Sequence, residues 1–174
     1  MEIYVILFLR ILHIVAGILW AGAAIVYYTH VKPAVQLIGP AGPIFMQAYI
    51  GRRKYPLFMQ VTSILCAVAG VIMFWFSSGG LSASWLLSGP GIGFTIGSVA
   101  GLLSFFLGAF FIGPRAGRLG RLGQAITEAG GPPSAEQSAQ MHRLEGEVAR
   151  FESIEFVLLL IALVTMATAR YWYF

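Results

Sequence analysis

IYVILFLRILHIVAGILWAGAAIVYY, residues 3–28, decides the fold class. Arg10 is its single charge, and the apolar residues show no polar face. About 20 such residues, rising ~1.5 Å each, cross a bilayer as a helix. Three further stretches have the same character: 56–76, 92–112 and 154–172. The expectation is an all-α integral membrane four-helix bundle, one transmembrane domain over residues 1–174.

Composition supports this reading. Hydrophobic residues make up 58% of the 174 residues and charged residues 10%. Soluble domains sit near roughly 45–50% apolar and about 25% charged. Mean hydropathy is +0.81. A soluble globule of this length could not hide so much apolar surface, and disorder is excluded for the same reason. A single cysteine excludes a disulfide framework and a Cys-rich metal site.

The charges between the spans set a topology. Thr29–Tyr55 holds Lys32, Arg52, Arg53 and Lys54, and Gly113–Ser153 holds Arg115, Arg118, Arg121, Arg143 and Arg150. Ser77–Gly91 holds none, so nine of the eleven basic residues lie on one side. Basic loops stay cytoplasmic, which predicts both termini outside and a multi-pass protein of the bacterial cytoplasmic (inner) membrane. The isoelectric point near 9.5 reflects this topology and contact with anionic lipid; no nucleic acid partner is implied. Met1-Glu2-Ile3 lacks the basic start of a signal peptide, so the first span is expected to be retained.

Loop residues predict the connections. Pro33, Gly39-Pro40 and Gly42-Pro43 are expected to break the chain after the first span, before a short helical run over 44–50. Gly130-Gly131-Pro132-Pro133 reads as a turn. Ser134 with Gln137 three residues on reads as a capping box, from which one helix runs over 135–172. Its first four turns or so would project into the cytoplasm.

Polar residues inside a membrane helix default to a functional reading. Steps of three and four place Arg10, His13, Gly17, Trp20 and Ala24 on one face of the first span. His13 lies roughly 15 Å deep, near mid-bilayer. A neutral imidazole there suits haem iron as an axial ligand. Gly17, one turn inward, removes a side chain where a porphyrin would lie. Arg10, one turn outward, offers a guanidinium to a haem propionate. The competing reading is an Arg–His pair that stabilises helix packing, or an imidazole bonded to a backbone carbonyl.

The second ligand is open. Met59, in the second span, is a candidate thioether ligand, with core filling as the plainer role. His30 and His142 are secondary candidates; with Glu145 they could form a metal site on the cytoplasmic side. Gly93, Gly97 and Gly101, continued by Ser104 and Gly108, make a small-xxx-small stripe suited to close helix packing or to a flat cofactor. Glu152 and Glu155 are expected to pair with the Arg52–Lys54 cluster or to serve proton uptake. The chain has no Asp, which excludes Ser–His–Asp catalysis.

Leu12-His13-Ile14-Val15-Ala16-Gly17-Ile18-Leu19-Trp20-Ala21-Gly22 resembles the first helix of HemJ-type protoporphyrinogen oxidases and of the related CopD-like membrane domains. Arg10 stands where HemJ-type proteins often carry a Lys. Arg52-Arg53-Lys54-Tyr55 and Arg150-Phe151-Glu152-Ser153-Ile154 resemble segments that open the second and last helices of that family. The resemblance implies a four-helix membrane fold, haem b, and His13 as its ligand. The family's third helix carries a Lys, and residues 92–112 hold neither Lys nor His. The expected function is therefore a haem b-binding protein for electron transfer, or a subunit of a larger membrane redox complex or homo-oligomer. Alternatives are a HemJ-like oxidoreductase acting on protoporphyrinogen IX, a CopD-like copper protein, and a purely structural membrane subunit.

Overall fold

The computed structural model describes residues 2–174. The order of elements is α1 (Ile3–Leu37), α2 (Gly42–Gln47), α3 (Tyr55–Ser77), α4 (Ala83–Leu86), α5 (Gly89–Ala129) and α6 (Ala135–Tyr171). No strand occurs among the described residues. α1, α3, α5 and α6 are the four helices long and apolar enough to cross a membrane. The protein is an all-α bundle of four such helices, with two short helices in the connections.

Two of these helices run further than the sequence suggests. Pro33 was expected to end the first span, yet α1 continues to Leu37. α5 was expected to stop near 112 and instead runs to Ala129. The reason is shared. A proline inside a helix lacks an N–H, and its ring collides with the carbonyl four residues back. Here each proline follows a π turn: Tyr27–Val31 before Pro33, and Leu107–Ile112 before Pro114. Lys32 N–H donates to Tyr27 O and Gly113 N–H to Gly108 O, each five residues back. The wider turn absorbs one residue and lets the helix pass the proline unbroken. A third π turn, Ala48–Arg52, closes α2 ahead of Pro56.

The caps match local chemistry. Ser88 Oγ accepts from Gly91 N at 3.2 Å and starts α5, with Pro90 in the first turn. Ser134 forms the expected capping box: Gln137 N donates to Ser134 Oγ at 3.1 Å, and Ser134 N to Gln137 Oε1 at 2.8 Å. Gly130 adopts φ +69°, the left-handed conformation that ends α5 without a Cβ penalty.

Packing divides the bundle into two antiparallel pairs, α1 with α3 and α5 with α6, which touch each other less extensively. Large apolar side chains point outward: Ile14, Ile18, Val61, Val68, Val99, Leu103, Val157 and Val164 are exposed. The interior is built mostly from small residues, Ala16, Ala21 and Cys66 around Trp20, and Ala69, Ala100 and Ala162 elsewhere. That inversion suits lipid, which solvates leucine and valine as well as a core does and leaves close approach of small residues to hold helices together. The glycine stripe of α5 serves this end. A Cβ at Gly93 would stand 2.8 Å from Ala169 Cβ, and one at Gly97 would stand 2.7 Å from Met166 Cγ and Thr165 Oγ1.

Beyond the apolar part, α5 and α6 continue as a helical hairpin. Leu119, Leu122 and Ile126 are half-buried on α5, and Leu144 and Val148 are buried on α6. Arg115 Nε donates to Glu147 Oε2 at 2.7 Å, and Arg143 Nε to Glu147 Oε1 at 3.0 Å. These two cations hold the Glu147 carboxyl below the usual carboxylate range.

Candidate functional site

His13 sits half-buried between α1 and α3. Its Nδ1 lies 2.8 Å from the backbone carbonyl of Cys66. A carbonyl can only accept, so Nδ1 carries the hydrogen and donates it. Nε2 is left with its lone pair. The ring occupies a niche in α3 created by Gly70, where a Cβ would stand 2.8 Å from His13 Cε1 and 3.0 Å from Nδ1. Gly70 escaped the sequence reading. Its signal was a glycine one turn beyond Cys66 in an otherwise apolar helix, a position that only the pairing of α1 with α3 connects to His13.

The remaining stripe residues divide. Arg10 is exposed, one turn toward the N-terminus from His13, and makes no ion pair among the described residues. Trp20 is buried in the core with Ala16, Ala21, Cys66 and Leu159. Gly17 does not border an open flat surface as expected. A Cβ there would stand 3.3 Å from Cys66 Sγ, so this glycine serves the approach of α1 to α3.

Met59 also departs from its expected place. It packs against the Trp20 cluster. It precedes Cys66 by seven residues, about 10 Å along the helix. The level of His13 is set by Cys66 and Gly70, so Met59 is core filling and does not face His13. His30 is exposed and bonded through Nδ1 to Thr29 Oγ1 at 2.6 Å. His142 is exposed, with Nδ1 3.6 Å from Glu145 Oε2. No three His, Cys, Asp or Glu side chains converge as a metal site among the described residues.

The second polar constellation lies at the basic end of the bundle. Glu152 and Glu155 are both buried on α6. Glu152 pairs with Lys32, brought over by the continued α1. The expected partners Arg52, Arg53 and Lys54 are exposed and pair with neither carboxylate among the described residues. Lys54 takes φ 51°, the left-handed conformation, just before Tyr55. Aromatic rings wall the site. Tyr27 stacks on Tyr55 at 5.7 Å, Tyr49 meets Tyr55 at 4.6 Å, and Tyr28 stacks on Phe156 at 4.9 Å. Tyr28 Oη and Ser153 Oγ are hydrogen-bonded at 3.0 Å.

Comparison with known proteins gave no matching family model, and no curated protein or solved structure matched the chain.

Proposed function

We propose that this chain is a haem b-binding membrane protein that carries electrons, alone or within a larger redox complex, with His13 Nε2 as an axial ligand. The observation that supports this is the hydrogen bond from His13 Nδ1 to the Cys66 carbonyl. Histidines that bind metal donate their other ring N–H to such an acceptor, which fixes the tautomer and raises the basicity of the free nitrogen. The residues fit the group in this respect, and they depart from the earlier expectation at Gly17 and Met59. The iron would supply a one-electron couple at mid-bilayer depth. The chain's own residues supply a fixed imidazole, a guanidinium at Arg10 for a propionate, and a lipid-facing apolar surround that excludes water.

The charge asymmetry supports an orientation with both termini outside and the α5–α6 hairpin in the cytoplasm of a bacterial inner membrane. The same hydrogen bond favours a second reading, in which His13 simply ties α1 to α3 as an internal brace.

Haem content per protein and reduced-minus-oxidised spectra separate the two. Under the haem reading His13→Ala loses the haem, while Arg10→Ala weakens it by the worth of one charge-assisted contact, about 1.5–3 kcal/mol when desolvated. His30→Ala leaves it unchanged. A His13→Ala protein with full haem and an unaltered spectrum overturns the assignment. A wild-type protein that takes up no haem, and whose His13→Ala form only melts earlier, establishes the brace.

A further inference from the structure

Glu155 is buried in α6, one turn from Glu152 toward the middle of the bundle. Glu152 has its charge matched by Lys32. Glu155 has no cationic partner among the described residues. Its carboxyl lies against α5 at a point where a Cβ on Gly108 would stand 3.2 Å from Oε1, so a glycine makes its room. Taking an isolated carboxylate into an apolar interior costs far more than such a fold can spare, so the group is neutralised or paired.

A second observation is independent of the charge count. Hydroxyls in these helices return to their own backbone: Thr62 to Phe58 O at 2.8 Å, Thr95 to Gly91 O at 2.7 Å, Thr165 to Ile161 O at 2.7 Å and Thr168 to Val164 O at 2.8 Å. Ser104 on α5 does not. Its Oγ is fully buried, lies beside the Glu155 carboxyl and meets no other polar group. A buried hydroxyl that leaves its own backbone for a carboxyl ties the two groups into one polar site.

We propose that Glu155 and Ser104 form a proton-binding site, one turn from the Lys32–Glu152 pair. The ligand is a single proton, taken up by the Glu155 carboxylate to give the neutral acid, whose oxygens and hydroxyl complete the hydrogen bonding of Ser104. Every packed element contributes to its electrostatics. Glu152 stands on α6, Lys32 and Tyr27 on α1, Tyr55 on α3 with Tyr49 of the π turn after α2 packed against it, and Ser104 on α5, where Arg115 lies further along over Phe151. The proposal requires nothing bound at His13.

Infrared spectroscopy of the full chain in vesicles tests it. The expected result at neutral pH is a protonated-carboxyl C=O band that shifts in D2O. The band disappears in Glu155→Gln, moves in Ser104→Ala and persists in Glu152→Gln. Thermal melting gives a second readout. Glu155→Gln, an isostere of the neutral acid, should melt with wild type, whereas Glu152→Gln should melt earlier because Lys32 loses its partner. Should Glu155→Gln fail to fold, Glu155→Asp should keep the band at an altered frequency. A band that survives in Glu155→Gln or Glu155→Asp unchanged overturns the assignment, as does the absence of any such band in wild type. A carboxylate signal that tracks added sodium or potassium in place of pH identifies a cation site and overturns it equally.

Discussion

α1 meets α3 through an imidazole set in a glycine niche, whereas α5 meets α6 through bare glycine backbone laid against Ala169, Thr165 and Met166. The polar contact occupies one level of the α1–α3 seam, beside the close approach of Gly17 to Cys66. The second is apolar and repeats every four residues from Gly93 to Gly101. In lipid, where burial of leucine gains little, these are the two available ways to join helices: a hydrogen bond that water cannot replace, or a backbone approach that side chains would block. The first leaves a ring nitrogen free for other work. The second, from Gly93 to Gly101, leaves no side-chain group free and is pure architecture; the seam turns polar only further along, where Ser104 and Gly108 face Glu155.

That contrast can be broken first on the architectural side. Gly93→Ala places a methyl 2.8 Å from Ala169 Cβ and 3.0 Å from Ala169 Cα, and one of these is backbone that cannot swing aside. The expected cost is about 1–3 kcal/mol, read as a lowered melting temperature in detergent. A variant as stable as wild type would show that the α5–α6 approach is looser than described.

Gly70→Ala tests the polar side and should cost less, about 1 kcal/mol, because the obstructed atoms belong to an imidazole that can rotate. The sharper readout is a double-mutant cycle with His13→Ala, in which the Gly70→Ala penalty should vanish. A penalty that survives without the imidazole would mean the niche serves some other neighbour. Under the haem reading, Gly70→Ala also lowers haem content.

The hairpin beyond the bilayer obeys neither rule, since water surrounds it. Gly120 and Gly146 lie in helix with open space where a Cβ would go. Changing each to Ala should therefore stabilise by roughly 0.5–1 kcal/mol through the lower backbone entropy of the unfolded chain. Calorimetry showing destabilisation at either position would point to a partner surface there.

The smallest effect concerns pH. Glu147 is held below its ordinary value by Arg115 and Arg143. Its contribution is complete above the ordinary glutamate value of about 4.5 and is lost as pH falls from there through the lowered one. Glu147→Gln should flatten the melting temperature of the hairpin over that acidic window and leave the profile at neutral pH and above unchanged in shape. A flat wild-type profile over the same window would remove this ion pair from the account.

The sequence by itself determined the four crossings, the small-residue composition available for their contacts, the clustering of basic residues at one end and the Ser134–Gln137 cap. Each follows from local chemistry: length against bilayer thickness, hydropathy, charge, and an i to i+3 hydrogen bond. It also singled out His13, because an imidazole in a run of isoleucine and leucine is costly without a purpose. Only the tertiary structure decided that Gly17 faces Cys66, that Gly70 receives the imidazole, that Met59 lies at a different level, and that Glu152 takes Lys32 in preference to the Arg52–Lys54 cluster. Those choices depend on the rotation and depth of one helix against another. A helix apolar on every side has no amphipathic stripe to reveal its rotation, because lipid and core read alike. The Lys32–Glu152 pair exists because α1 continues through the π turn Tyr27–Val31 beyond the span read from the sequence, which ended at 28.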